Sequence, residues 1–200
     1  MSCALCHQRK PKRSCPGVHG QICSLCCGTE RENTVDCPLD CVYLQEAHLY
    51  EWERTPSAPL AEMPHKQYEI TDEFLHQHEP FVAELARRLL ERSLELPGTR
   101  DSDLLAALDS LIRTRETLTS GLYYESLPDT PVPQALFRSL EDSMKGQKDE
   151  DVLKCLVFLA RLGRARGSHR PRSKAYLGFL RRQFPEVAAQ KTPGGLILPG

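Results

Sequence analysis

Ile22-Cys23-Ser24-Leu25-Cys26-Cys27-Gly28 lies inside a cluster that holds eight of the chain's nine cysteines within the first 41 residues. Cys23-x2-Cys26 has knuckle spacing, in which one tight turn aims two sulfurs at one ion, and Cys3-x2-Cys6 repeats it upstream. Cys15 stands between these pairs, and Cys37 and Cys41 follow four residues apart. With Pro38 suited to a first helical turn, the last two are expected on one helical face. In a reducing compartment such a cluster reads as metal ligands rather than as four disulfides. Eight thiolates close two tetrahedral sites and leave no position for a catalytic water, so the expectation is two structural zinc ions per chain.

The doublet decides how the ligands divide. Neighbouring side chains point apart in an extended backbone, so Cys26 and Cys27 are expected to serve different ions. The preferred division places Cys3, Cys6, Cys23 and Cys26 on one ion and Cys15, Cys27, Cys37 and Cys41 on the other. A sequential division, the first four cysteines and then the last four, remains open. His19 or His48 could replace a cysteine. The apolar residues of 1–54 are scattered and mostly small, so this segment needs metal to offset its chain entropy.

The wording Cys15-Pro16-Gly17, Ile22 to Arg31 and Cys37-Pro38-Leu39-Asp40-Cys41-Val42-Tyr43-Leu44 resembles a Cys-rich, zinc-finger-like N-terminal module of uncharacterised bacterial proteins. A cruder similarity is to two-zinc interaction modules of the MYND, HIT-finger or B-box kind. This chain departs from those modules in its Cys26-Cys27 doublet and in lacking their late His-Cys ligand pairs. The resemblance covers about the first quarter of the chain and implies an interaction module without an activity of its own.

Outward from the cluster, a helix is expected from Cys37 to about Trp52. Pro56, Pro59 and Pro64 then mark a semi-rigid linker over 55–66. The pattern beyond is helical. Thr71-Asp72-Glu73 opens a run through Leu90 that Pro80 either kinks or divides, and Pro97-Gly98 ends it. Asp101-Ser102-Asp103 is expected to cap a helix whose face carries Leu104, Leu108, Leu111, Leu118 and Leu122. Further helices are expected over 134–146, 150–166 and 172–184. The fold class is therefore mainly α, a two-zinc module over 1–54 followed by a bundle of five or six helices over 67–187, with a tail over 188–200.

Composition excludes some roles. With 40% apolar and 26% charged residues the chain matches an ordinary globular protein rather than a disordered one. Its longest apolar run, Cys155 to Ala160, is far too short to span a bilayer, and Met1 to Arg13 contains no apolar leader core. The expectation is a cytoplasmic protein without membrane contact.

Charge is unevenly spread. Residues 55–150 carry net −8 and residues 151–200 net +8. Arg161, Arg164, Arg166, Arg170, Arg172, Lys174, Arg181 and Arg182 concentrate the positive charge. They are expected mainly to pack beside acidic helices of the same chain, of a second copy or of a partner; the alternative is contact with nucleic-acid phosphates. A shorter basic run, Arg9-Lys10-Pro11-Lys12-Arg13, is expected to relieve the negative field of the thiolates.

Other chemistry is faintly marked. Glu73-x2-His76 is half of a di-iron motif whose second half is missing, and Cys155 lies in an apolar run where a buried small residue belongs. Neither a phosphate-cradling loop nor a nucleophile elbow occurs. The functional expectation is a non-enzymatic zinc-binding adaptor that engages another protein, with homo-oligomerisation possible. The alternative is a nucleic-acid-associated factor using the basic C-terminal helices.

Overall fold

The computed structural model describes residues 2–54, 63–119, 121 and 124–190. Most of the expected linker (55–62), Leu122, Tyr123 and most of the expected tail (191–200) lie outside them. A short antiparallel hairpin, β1 (Arg13–Cys15) and β2 (Gly20–Ile22), pairs Arg13 with Ile22 and Cys15 with Gly20. Helices α1 (Ser24–Glu30), α2 (Val42–Arg54), α3 (Asp72–Glu95), α4 (Asp101–Thr119), α5 (Pro131–Ser143), α6 (Asp149–Arg166), α7 (Ala175–Gln183) and α8 (Pro185–Gln190) follow. The fold is mainly helical, as the periodicity indicates. The hairpin escapes a sequence reading because three-residue strands are too short to show alternation.

Local chemistry explains most boundaries. Thr71 Oγ1 accepts the Phe74 amide at 3.1 Å, and Asp72 and Glu73 lie at the positive end of α3. Pro80 sits inside one continuous helix, on its exposed side, where water can serve the carbonyl that loses its partner. Gly98, at φ +78°, makes the turn out of α3.

Two expectations need correction. Helix α2 begins at Val42 and not at Cys37, because Cys37 to Cys41 forms a turn in which the Cys41 amide donates to the Pro38 carbonyl (3.0 Å). Cys37 and Cys41 are therefore related by a turn, not by a helical face. Asp101 does not cap its own helix. Its carboxylate accepts the Tyr176 and Leu177 amides (both 3.0 Å) and the Ser173 hydroxyl (2.6 Å), and so caps α7 from across the bundle. Asp103 serves the start of α4 by accepting the Arg100 amide at 2.9 Å.

The main core joins α3 to α8, with α4 lying along α6 as its most extensive packing. Leu104, Leu108 and Leu111 of the expected face are buried. Tyr176 is fully buried, and its hydroxyl donates to the Leu159 carbonyl at 3.1 Å. A second, small cluster holds Ile22, Val35 and Leu44 together with Cys3, Cys15, Cys23, Cys26 and Cys37. Five of its eight members are cysteines, so little hydrocarbon is present to hold it by itself.

The two clusters touch. Trp52 of α2 donates its indole N–H to the Arg166 carbonyl (3.0 Å) and meets Phe179 edge-on. Gly163 lets α6 approach α7 closely: a Cβ there would lie 2.7 Å from the Tyr176 ring and 2.9 Å from Leu105. Gly163→Ala is expected to lower unfolding free energy by about 1–3 kcal/mol in a denaturant titration, the usual range for overpacking. Gly28→Ala, inside α1 and with no atom within 4 Å of the added carbon, should instead raise it by about 0.5–1 kcal/mol.

Candidate metal centre

The first knuckle is built by backbone. The Cys3 amide donates to the Arg9 carbonyl (2.9 Å), the His7 amide to the Cys3 carbonyl (2.9 Å), and the Ala4 amide to the Gln21 carbonyl (2.9 Å). His7 takes a positive φ of 56° to close the turn. The second knuckle straddles the entry to α1, where Cys23 is the N-cap and its sulfur accepts the Cys26 amide at 3.4 Å. The Cys23 amide reaches across to the Cys3 sulfur at 3.2 Å, which joins the knuckles.

The ligand atoms of Cys3, Cys6, Cys23 and Cys26 all lie within 4.8 Å of one another. A tetrahedron with metal–sulfur bonds of 2.3 Å has edges of roughly 3.8 Å, so the group could hold a metal ion. This is the quartet that the interleaved division requires. Among the described residues no other group of cysteine, histidine or acidic side chains meets that spacing; Glu73 and His76 join none.

Electrostatics in this quartet pull both ways. The Cys6 amide, helped by the amides of Cys23 and Leu5, brings the Cys3 thiol down to about 6. The Gln8 and Arg9 amides hold Cys6 below the ordinary thiol range. Cys26 is pushed up to about 12 by a hydrogen bond shared with the Cys23 sulfur and by burial. Crowded sulfurs thus oppose ionisation of the last thiol until a cation sits among them, and binding such a cation releases the proton.

Cys26 and Cys27 lie in a helix and not in the extended backbone expected. Successive residues of α1 are turned by about 100°, which buries Cys26 and leaves Cys27 half-buried. Cys15, Cys27, Cys37 and Cys41 line one cavity of about 10 Å³, which Cys26 of the first quartet also borders, beside Val35, Tyr43 and Leu44. Cys37 is pushed up to about 11, first by burial and further by the sulfurs of Cys15 and Cys41.

Each quartet has an arginine. Arg13 donates Nη1 to Cys27 Sγ at 3.2 Å, with its guanidinium 4.4 Å above the Tyr43 ring. Arg9 is held above its ordinary range by a hydrogen bond to the Cys23 sulfur and by the charge of Cys6. Lys10 and Lys12 of the same run are exposed. His48 is buried with Nε2 3.0 Å from Glu32, and His19 is exposed in the hairpin turn at φ 50°. Cys155, fully buried, is pushed up to about 12 by burial.

The basic C-terminal residues have diverse surroundings. Arg161 is buried and donates to the carbonyls of Pro64 (3.2 Å), His65 (2.7 Å) and Tyr68 (3.0 Å). Arg164 pairs with Asp109 of α4 at 2.6 Å, and Arg166 lies over the Phe179 ring. Arg170 pairs with Glu51 (3.0 Å) and Lys174 with Asp36 (2.6 Å). Two of these acidic partners thus belong to the cysteine-rich segment and not to the acidic helices 55–150. Arg172, Arg181 and Arg182 make no ion pair among the described residues, and Arg182 is exposed.

A sequence reading passes over Glu32 and gives Asp101 to the wrong helix, since the partners of both buried carboxylates lie far along the chain. No local spacing signals either role. Comparison with protein-family models, curated proteins and solved structures returns no match. The case for a metal centre rests on its own geometry.

Cys3→Ser or Cys23→Ser is expected to remove the ion from the first quartet, seen as a fall in metal-to-protein ratio by elemental analysis of freshly reduced protein. Cys155→Ser should leave that ratio unchanged.

Proposed function

We propose that the chain is a non-enzymatic adaptor whose cysteine-rich segment is shaped by two zinc ions and which acts by binding another protein. The observation that carries this reading is the closed first quartet, four sulfurs mutually within 4.8 Å. Four thiolates fill a zinc coordination sphere, so no position is left for a reacting water. Arg9 offsets part of the negative charge that such a centre would carry. Zinc is favoured over other metals because an all-thiolate tetrahedron suits it in a structural role.

The second ion is assigned to Cys15, Cys27, Cys37 and Cys41. They are the four N-terminal cysteines left over by the first quartet, border one small cavity together with Cys26, and have Arg13 against Cys27 as the first quartet has Arg9. Elemental analysis of reduced protein is expected to give two zinc ions per chain. One ion would remove the second assignment; iron with visible thiolate charge-transfer absorption would change the metal.

Most of the basic residues are spent on partners within the chain, which favours a protein-binding reading over a phosphate-binding one. No helix among the described residues is long and apolar enough to cross a membrane. The adaptor reading is tested by tagging the chain in its native cell. A protein that co-purifies with the wild type and with Cys155→Ser, but not with a Cys3→Ser, Cys37→Ser double variant, is the expected result. Nucleic-acid retention that falls steeply with salt, without such a protein, would replace it.

Charge reversals separate the two readings. Arg170→Glu would set a carboxylate beside Glu51 and the buried Glu32, and is expected to lower the melting temperature by about 2–12 °C. An Arg181→Glu, Arg182→Glu variant should melt as the wild type does. If that variant instead loses binding to nucleic acid, the basic helix is a phosphate surface.

A further inference from the structure

Helix α7 is held at its N-terminus by two buried carboxylates that come from different parts of the chain. Asp101 comes from α4 and takes the Tyr176 and Leu177 amides. Glu32 comes from the cysteine-rich segment, is fully buried, and takes the Lys174 amide at 2.6 Å on one oxygen and His48 Nε2 at 3.0 Å on the other. The carbonyl of Glu32 also accepts the Arg172 amide at 2.9 Å. Lys174 returns the contact, its ammonium donating to Asp36 (2.6 Å) and to the Cys37 carbonyl (3.1 Å). His48 packs against Gly178 one turn further along: a Cβ there would lie 3.3 Å from its Nδ1.

Apart from His48, which stands on α2, these contacts from the N-terminal side come from one short loop. Residues 31–37 run from α1, which carries Cys26 and Cys27, to Cys37. Within it Glu32 takes a positive φ of 55°, a conformation that a non-glycine residue keeps only when its surroundings hold it. The loop has little of its own to hold it: Val35 is its buried apolar side chain, and the Asn33, Thr34 and Val35 amides all converge on the Glu30 carbonyl. Its two ends are fixed by the cysteines.

We propose that metal occupancy of the cysteine-rich segment controls the docking of α7 on the bundle. This rests on the metal reading above and adds the route by which occupancy is felt. With ions bound, Cys27 and Cys37 pin the loop and Glu32 stays buried against Lys174. When the ions leave, the loop loses its anchors, and α7 keeps Asp101 and the α2 contacts but loses Glu32 and the Cys37 carbonyl. Helix α7 also forms one wall of an apolar groove of about 440 Å³ with α3 and α6, lined by Leu75, Val82, Phe158, Leu162, Phe179 and Phe184. Metal loss therefore reshapes a surface well away from the sulfurs.

The test is hydrogen exchange by mass spectrometry on the full chain, with metal content measured in parallel, before and after chelation under reducing conditions. Chelation is expected to speed exchange at residues 172–180 by about tenfold or more, the loss of one or two hydrogen bonds, with α4 and α6 unchanged. A Glu32→Gln variant, which alters no ligand, should show the same acceleration with metal content intact. Unchanged exchange over 172–180 in either case overturns the proposal, as does collapse of protection across the whole bundle, which would make α7 no separate element. Protein that carries no metal as isolated and takes none up would instead sink the metal reading itself.

Discussion

Repulsion among sulfurs is the constraint that organises the N-terminal quarter of this protein. Backbone amides draw Cys3 and Cys6 toward the thiolate, while proximity and burial push Cys26 the other way. Four such groups within 4.8 Å of one another could hold a cation, which would relieve their repulsion on ionisation. Five cysteines are among the eight buried residues of the small cluster, so it contains little hydrocarbon of its own. The hairpin, α1 and the turn before α2 read as scaffolding whose purpose is to present sulfur.

The basic residues fit the same logic at larger scale. Arg9 and Arg13 approach the sulfurs, Arg170 and Lys174 approach acids of the same segment, and Arg161 turns inward to three carbonyls. Two positive charges of the last fifty residues, Arg170 and Lys174, thus attach the N-terminal segment to the bundle, while Arg161 and Arg164 hold parts of the bundle together. Glu32 lies where these interactions meet. It is fully buried, yet it serves an amide, an imidazole and, at 3.8 Å, a guanidinium.

The helical class and the first quartet were legible because each rests on a local pattern. Leu104, Leu108 and Leu111 repeat with helical period, and Cys3-x2-Cys6 and Cys23-x2-Cys26 are spacings of a single turn. Asp101 shows where such reading stops. Its position marks a helix start, which it is, but its carboxylate serves a helix more than seventy residues later. Pro38 misleads similarly: it suits a first helical turn, whereas Lys174 holds the Cys37 carbonyl and the chain turns until Cys41. Burial of Arg161 against the Pro64, His65 and Tyr68 carbonyls has no sequence signal, since it depends on where the chain re-enters the bundle.

The distance along the chain between Glu32 and Lys174, 142 residues, bears on the order in which the protein is made. At roughly 5–20 residues per second, Glu32 is synthesised about 7–28 s before its partner amide. The eight N-terminal cysteines are all made before α3, so any metal they take needs no ligand that comes later. The carboxylate that will be the most deeply enclosed in the segment meanwhile waits in water. Its burial is then a late event, made when the last helices of the bundle close over the segment and Lys174, Arg170 and Arg166 meet their own N-terminal partners.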